Sequence, residues 1–323
     1  MRKLLYSLVL IFSLIVIAAP VQAASQLRFA TASAGGLWYV IGGAMADIFQ
    51  KQADIQVAVT SGYGIPNLST IQSGKTDLAF TVVYPSLLTS TDPLIGKDLS
   101  KVRLIAHLYP QYLYFVARKD WADKNNVKTV ADLFSKKIPL RYATLARATL
   151  TEFLARQIFD IYNTSVDEIV KNGGKVEYGS YEQGADLLVD NHVDLYIVSS
   201  GLPLGTIMDI ETRLPIVFLP VDTTTADRLA QKYGTKLYDI KKGSYKSATE
   251  DIPAVGCLTS MICSADLPED IVFNITKLIF DNQKELTVAA KAMADMNLKD
   301  ASEEMAFPFH PGSLKYYKSV SAK

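Results

Sequence analysis

The sequence has few of the residues on which metal and redox chemistry depend. Its 323 residues include two cysteines and three histidines. The histidines, His107, His192 and His310, belong to unrelated parts of the chain, and no H-E-x-x-H, C-x-x-C or G-x-S-x-G pattern occurs. The sequence therefore offers neither a metal site nor an activated nucleophile. We expect no cofactor, no bound metal and no enzymatic activity.

An excess of positive charge is also absent, since 33 Lys and Arg residues balance 33 Asp and Glu residues. Nucleic-acid binding needs a concentrated basic surface, so we expect no nucleic-acid partner. The stretch SGKT at 73–76 resembles part of a Walker motif, but Ser69 stands where that motif needs glycine. Lys75 is therefore predicted to be a solvated turn residue. No G-x-G-x-x-G pattern is present, which excludes a dinucleotide fingerprint.

Only one long hydrophobic run occurs, at residues 4–17, directly after Arg2 and Lys3. It is followed by small residues ending at Ala23, the pattern of a secretory signal peptide over 1–23. No later segment reaches the roughly 18 apolar residues of a membrane span. We expect a soluble periplasmic monomer that begins near Ala24. Loss of the leader leaves 31 basic residues against 33 acidic ones.

Export would permit a disulfide, and Cys257 and Cys263 are the only candidates. Both lie in a predicted strand, where six residues separate their α-carbons by roughly 20 Å. A disulfide tolerates no more than roughly 7 Å between α-carbons. The two cysteines are therefore predicted to be buried free thiols.

Apolar, β-branched runs alternate with helical patterns along the rest of the chain, which predicts a doubly wound α/β fold. The first strands are expected at 27–31, 56–60 and 77–83. A faint duplication relates two stretches: each has a Gly/Ser turn, a short helix and Asp-Leu opening an apolar strand, with Asp77 fifteen residues after Gly62 and Asp194 fifteen after Gly179. Two lobes of similar build account for this, and the alternative is chance similarity between two strand-helix-strand units.

Two long apolar segments, 102–118 and 254–264, are long enough to run from one lobe into the other. The expected architecture is bilobal, with lobe 1 formed by 24–112 and 254–323 and lobe 2 by 113–253. Two crossings make a hinge, and a cleft between hinged lobes is a common small-molecule site.

The stretch TASAGGLWYVIGG, residues 31–43, places two glycine pairs around an aromatic pair. Gly42 and Gly43 fit close packing of a helix on the sheet. Gly35 and Gly36 fall at the exposed first turn, where bare N–H groups favour an anion such as a carboxylate. The alternative is a purely structural role for these glycines too.

These segments resemble the TAXI family, the substrate-binding proteins of one class of TRAP transporters, over essentially the whole mature chain. The glycine-rich stretch is similar to the family's Gly-Gly-x-x-Tyr-x-x-Gly-Gly element, and FPFHPGSLKYYKS at 307–319 is similar to its C-terminal signature. The resemblance implies a periplasmic-binding-protein fold of the second type. It also implies capture of a small organic acid or amino acid, such as glutamate or 2-oxoglutarate, for a membrane permease driven by an ion gradient.

Two other functions stay open at this stage: a periplasmic subunit that presents its ligand to a signalling receptor, and an enzyme on the same fold. For binding, loops that follow strands are expected to contact the ligand. The candidate residues are Ser33, Gly35, Gly36, Trp38, Tyr39, Ser61, Gly62, Tyr63, Gly64, Tyr84, Arg141, Thr144, Arg147, Ser199, Ser200 and Gly201.

One departure from the family concerns the second lobe. Where the family carries Gly-Ser-Gly-Thr after a strand, this chain is matched by Thr144-Leu145-Ala146-Arg147. Arg147, with Arg141, is therefore a candidate for holding a carboxylate by a bidentate pair. The alternative for either arginine is a surface charge.

Overall fold

The computed structural model describes residues 26–321 apart from 91, 97 and 137. The predicted signal peptide and the start near Ala24 lie outside the described residues. Within them, no helix combines the length and the hydrophobicity that crossing a membrane requires. They also contain no cluster of three or more histidine, cysteine or acidic side chains arranged to hold a metal ion.

One continuous sheet of ten strands forms the centre of the molecule. The strands are β1 (Leu27–Ala30), β2 (Val57–Thr60), β3 (Leu78–Val82), β4 (Val102–Arg118), β5 (Arg141–Leu145), β6 (Lys175–Gly179), β7 (Leu195–Ser200), β8 (Ile216–Phe218), β9 (Lys236–Ile240) and β10 (Ile252–Ser264). Every residue of β3 and β7 is buried, as expected for apolar strands covered on both faces.

Helices and two short 3₁₀ turns cover the sheet. The helices are α1 (Leu37–Ala53), α2 (Asn67–Gln72), α3 (Lys119–Lys124), α4 (Val130–Ser135), α5 (Leu150–Ile161), α6 (Val166–Lys171), α7 (Tyr181–Val189), α8 (Gly205–Arg213), α9 (Thr223–Tyr233), α10 (Glu269–Asp281), α11 (Gln283–Ala289), α12 (Leu298–Ala301) and α13 (Pro311–Ser321). The 3₁₀ turns are Pro85–Leu87 and Lys291–Asp295. The predicted alternation of strands and helices is confirmed.

The sheet order is β2-β1-β3-β10-β4-β7-β5-β6. Its two halves are equivalent, with β2, β1, β3 and β10 corresponding to β6, β5, β7 and β4. In each half a first strand, β1 or β5, pairs in parallel with two neighbours. The third strand, β3 or β7, then pairs antiparallel with one of the two long strands. The two halves therefore have the same topology, which agrees with the duplication seen in the sequence.

The duplication extends to an ion pair in each half. Arg28 of β1 hydrogen-bonds Asp77 through Nε at 2.9 Å, and Arg141 of β5 hydrogen-bonds Asp194 through Nε at 2.9 Å. In each case the aspartate N–H also donates to the carbonyl of that arginine, at 2.9 Å and 2.8 Å. Burial alone would raise the pKa of Asp77, but the hydrogen bonds from Arg28 outweigh it and lower that pKa. Arg141 is thus the counterpart of a structural residue.

The long strands β4 and β10 pair with each other at the centre of the sheet, antiparallel. β3 pairs with β10 at residues 259–263, whereas β7 pairs with β4 at residues 112–117. The two strands thus connect the halves, as predicted from their length. Cys257 and Cys263 both lie in β10 and are buried free thiols, which confirms that prediction.

The division of the chain at residues 112 and 254 stays a prediction. Below, "first lobe" denotes 24–112 with 254–323, and "second lobe" denotes 113–253.

Candidate ligand-binding cleft

A cavity lies between the lobes and is lined by both. Its lining residues are Ala32, Ser33, Leu37, Trp38, Gly62, Tyr63, Gln111, Leu145, Thr149, Leu150, Thr151, Tyr181, Ser199 and Ser200. Most of them follow the carboxyl ends of β1, β2, β5 and β7, or start the helix after such a strand. In open α/β sheets this end of the strands is where ligands bind, because the loops there leave a crevice.

Three helices begin at the cavity: α1, α5 and α7. Thr149 caps α5 by accepting the N–H of Glu152 at 3.4 Å. Ser180 and Gln183 form a capping box at the start of α7. The first-turn N–H groups of a helix have no acceptor within the helix, and the helix dipole adds partial positive charge there. Partial positive charge from these helix starts is therefore directed at neutral walls, and Glu152 and Glu182 in the first turns of α5 and α7 offset part of it.

Hydroxyl and amide groups make up the polar part of the wall. Thr151 and Ser199 join their hydroxyls at 2.8 Å, and the Ser199 N–H donates to Thr151 Oγ1 at 3.0 Å. The Tyr181 hydroxyl donates to the Ser199 carbonyl at 3.2 Å. Burial raises the pKa of Tyr181, so its hydroxyl stays protonated. None of the lining residues carries a formal charge at neutral pH.

A relay of hydrogen bonds joins the first helix to the crossing strands. The indole Nε1–H of Trp38 donates to Thr259 Oγ1 at 3.1 Å. The Thr259 hydroxyl in turn donates to Gln111 Oε1 at 3.3 Å. Trp38 and Gln111 are 3% and 5% exposed, so both ends of the relay are buried. Because Thr259 and Gln111 belong to β10 and β4, the relay ties the cavity wall to the hinge.

The lobes meet tightly at glycines of the first lobe. A Cβ on Gly35 would lie 2.4 Å from Glu182 Oε1, and one on Gly36 would lie 3.0 Å from Tyr181 Cε2. A Cβ on Gly64 would lie 3.0 Å from Leu150 Cβ. The backbone of these glycines is therefore approached closely by α7 and α5 of the opposite lobe. The sequence suggested that a ligand comes close to the backbone of Gly35 and Gly36, and in the structure residues of the second lobe occupy that position.

The space inside this cavity is small. The cavity volume is about 30 Å³, where one water needs roughly 10–15 Å³ on the same measure. A molecule of several heavy atoms enters such a space only if the lobes move apart first. At this cavity the two lobes are therefore closed on each other.

The structure brings ten of the sixteen candidate residues to this region. Six line the cavity and four form lobe contacts beside it. The lining six are Ser33, Trp38, Gly62, Tyr63, Ser199 and Ser200, and the four at contacts are Gly35, Gly36, Gly64 and Gly201. Gly201 is counted among the lobe contacts because a Cβ added to it would lie 2.7 Å from Tyr109 and 3.0 Å from Leu37, both in the first lobe.

Three further candidates lie elsewhere. Tyr39 is 41% exposed on the outer face of α1, and Ser61 is exposed at the end of β2. Tyr84 is buried and accepts a hydrogen bond from Gln157 at 2.8 Å, beside a second cavity. Trp38 and Gly62, the sequence neighbours of Tyr39 and Ser61, line the cavity in their place.

The two arginines and Thr144 are also placed away from the cavity. The Arg147 guanidinium lies over the Tyr178 ring, 4.6 Å from its centroid, and Arg141 is bonded to Asp194. Thr144 is buried within β5. The loop instead turns at Ala148, whose φ is +66°, and presents Thr149, Leu150 and Thr151 to the cleft. The carboxylate chemistry assigned to the arginines is therefore not available in this conformation.

Sequence reasoning missed four polar contributors: Gln111, Thr149, Thr151 and Tyr181. A signal existed for each. Gln111 is the single polar side chain of the run YPQYLYF, and Tyr181 follows the capping serine in GSYEQG. Thr151 opens the helix of TLTEFLAR, two residues after a capping threonine.

Two solved structures share this architecture over nearly the whole chain. The periplasmic binding protein BugD superposes with a TM-score of 0.52 at 12% identity, over 91% of this chain and 92% of that one. PhnD1 from Prochlorococcus marinus MIT 9301, solved with methylphosphonate, gives 0.53 at 11% identity, over 92% and 96%. The fold is thus the two-lobe, type II fold of periplasmic binding proteins, as predicted. Residues 29–320 match the model of the NMT1-like family, and the chain belongs to that family.

Proposed function

We propose that this protein is the extracytoplasmic solute-binding subunit of a TRAP-type transporter. It captures a small carboxylate between its lobes and delivers it to a membrane permease that uses an ion gradient. The observation that carries the proposal is the cavity at the carboxyl ends of β1, β2, β5 and β7, lined by both lobes. The permease and the ion gradient rest on the resemblance of the glycine-rich and C-terminal segments to the TAXI family.

The chemistry of the cavity supports an anionic ligand. Three helix N-termini converge on it, and such termini attract carboxylates through their free N–H groups and dipoles. The lining contains no acidic side chain that would repel an anion. A carboxylate held in this way needs no arginine, so the placement of Arg141 and Arg147 outside the cavity does not weaken the proposal.

Delivery depends on two states of the hinge. A ligand favours the closed state only if it touches both lobes, because only then does it bind that state more tightly. Contacts of this kind are available from Ser33 and Trp38 in the first lobe and from Thr151 and Ser199 in the second.

Calorimetry with a panel of organic acids and amino acids tests the binding step. We expect at least one small carboxylate to bind, and sugars, nucleosides and polyamines not to bind. Binding of an uncharged or cationic solute with no affinity for any carboxylate would contradict the proposal.

Uptake into vesicles that carry the permease tests the transport step. We expect uptake of the bound acid to require this protein and an imposed ion gradient, and to continue without ATP. Uptake that depends on ATP instead would contradict the assignment to a TRAP-type system.

A further inference from the structure

The amide of Gln111 has an orientation that the surrounding hydrogen bonds dictate. The Trp38 indole N–H is a donor only, so Thr259 Oγ1 must accept from it at 3.1 Å. The Thr259 hydroxyl then has its own proton to give, and its bond of 3.3 Å leads to Gln111. The amide atom facing Thr259 is therefore the acceptor Oε1, and the other atom is the Nε2 donor.

This orientation directs a donor towards the cavity. Gln111 lines the cavity and is 5% exposed, and its Nε2 has no hydrogen-bond acceptor in the part of the chain that the structure describes. This N–H₂ group is not among the fully buried polar atoms without a partner, so it keeps access to the cavity, where a ligand oxygen can accept from it. The Gln111 amide can both donate and accept, but the relay occupies its oxygen and leaves only its N–H₂ donor for a ligand.

The rest of the lining offers little to a cation. It contains no carboxylate, and Glu182, which lies against Gly35 at the lobe contact, does not line the cavity and accepts from Ser180 Oγ at 2.9 Å. An ammonium group enclosed here would find hydroxyl oxygens but no counter-charge, and it would lose its hydration.

We propose that Gln111, held as a donor by Trp38 and Thr259, makes the cavity select carboxylates that carry an oxygen acceptor in place of an ammonium group. The ligands are then 2-oxo or 2-hydroxy acids, and the corresponding amino acids are rejected. This inference rests on the proposed function, because it divides the class of small carboxylates in two.

Matched pairs of ligands test it directly. Pyruvate and L-alanine, 2-oxoisovalerate and L-valine, and 2-oxoglutarate and L-glutamate share their carbon skeletons and differ in the group at C2. We expect calorimetry on the intact protein to show the oxo acid binding at least about tenfold more tightly in whichever pair binds, since a charged group buried without a partner costs more than a neutral one. An amino acid that binds as tightly as its oxo acid overturns the inference and leaves the proposed function standing. Failure of every carboxylate to bind overturns both.

Three variants test the role of the relay. Gln111→Glu replaces the donor by an acidic acceptor, so the ratio of the two affinities should fall by at least about tenfold. Thr259→Val removes the hydroxyl, and Trp38→Phe removes the indole N–H. Each leaves the amide free to turn its oxygen to the ligand, and the ratio should fall less than in Gln111→Glu.

The matched control is Gln231→Glu, the same change on the exposed face of α9, far along the chain from the cavity. It should leave both affinities unchanged. Thermal melting of every variant separates loss of folding from loss of selectivity, because the ratio is unaffected by the fraction of folded protein. An unchanged ratio in folded Gln111→Glu would rule out Gln111 as the specificity-determining residue.

Discussion

At the scale of single residues, Gly36 lets the two lobes approach closely because it has no side chain. Gly36 precedes α1 with φ of −86°, a conformation that any residue adopts, so backbone freedom does not explain the glycine. Its surroundings do, because a Cβ there would lie 3.0 Å from Tyr181 Cε2 and 3.1 Å from Tyr181 Oη. The glycine is thus needed where α7 approaches.

We predict that Gly36→Ala weakens ligand binding by about fivefold to a hundredfold. The added methyl group overpacks the closed state, which costs roughly 1–3 kcal/mol, and leaves the open state unaffected. Calorimetry with the best ligand measures the effect. Gly43→Ala is the control, because a Cβ there meets nothing within 4 Å. Equal affinities of the two variants would show that α7 does not press on Gly36.

Ala148 is a residue in a conformation that suits glycine. Its φ of +66° lies in the left-handed region, which costs an L-residue roughly 1–2 kcal/mol.

We predict that Ala148→Gly stabilises the protein by about 0.5–1 kcal/mol, since relief of the strained φ exceeds the entropy that glycine loses on folding. The expected rise in Tm is about 1–3 °C for a chain of this size. Ala146→Gly is the control, because Ala146 is exposed and has no left-handed φ. Thermal unfolding that shows Ala148→Gly to be no more stable than Ala146→Gly would contradict the strain.

At the scale of elements, the C-terminal segment 307–319 is held in place by hydrogen bonds to β4 and to the start of α13. Leu104 N–H donates to the Pro308 carbonyl at 3.0 Å and His310 N–H to the Leu104 carbonyl at 2.9 Å, which fixes this segment alongside β4. His310 then accepts the Gly312 N–H at Nδ1 and faces the Leu267 carbonyl with Nε2, at 3.2 Å and 3.1 Å. The imidazole is therefore neutral, with its proton on Nε2, and positions the start of α13.

Acid should weaken this arrangement. Burial lowers the pKa of His310 from its ordinary 6.5, and Arg103 acts in the same direction, whereas the carbonyl of Leu267 and Glu269 raise it. Below about pH 6.5 the unfolded chain then binds a proton that the folded one resists, so stability falls as the pH decreases. The buried His107, whose pKa burial also lowers, contributes with the same sign.

We predict that His310→Gln flattens the dependence of stability on pH between about 7 and 5, and that it lowers stability at pH 7.5. Urea unfolding at a series of pH values measures both effects. His192→Gln is the control, because His192 is exposed in a turn between α7 and β7. A parent protein whose stability stays constant down to pH 5 would contradict the argument.

At the scale of the whole molecule, the proposed function requires the lobes to move about β4 and β10. The closed arrangement leaves a cavity of about 30 Å³, too small for a ligand to enter without opening. The lobes also share contacts away from the cavity, such as the Asp92–Arg156 ion pair at 2.8 Å and the bond between Gln157 and Tyr84. When the lobes open, these contacts must either break or be kept by movement of their side chains, while β4 and β10 stay paired.

We predict that saturating ligand makes the protein more compact in small-angle X-ray scattering. The ligand joins the lobes and shifts the population to the closed state. Gly36→Ala should compact less at the same occupancy, since its closed state is overpacked. An identical scattering curve with and without a tightly bound ligand would show that the hinge does not move.

Much of this molecule follows from the sequence alone. The alternation of apolar runs and helical patterns fixed the α/β class, and the length of 102–118 and 254–264 identified the crossing strands, because period and length are local properties of the chain. The spacing of Cys257 and Cys263 along one strand was enough to exclude a disulfide. Among the loops after strands, the structure places Ser33, Gly62 and Ser199 at the cavity, and their contact with a ligand stays a prediction.

Only the tertiary structure decided which side chains of those loops face inward. The Arg141–Asp194 ion pair in one half repeats the Arg28–Asp77 ion pair in the other. This correspondence is visible only once the fold shows that β1 and β5 occupy equivalent places in one sheet. Gln111 reaches the cavity because β4 crosses the hinge there, and its donor character comes from Trp38 and Thr259, which are distant in sequence. The direction in which a side chain points depends on neighbours that the fold brings together. A pattern along the chain can therefore predict which loop lies at the cleft, but packing between the lobes decides which residue of that loop faces the cavity.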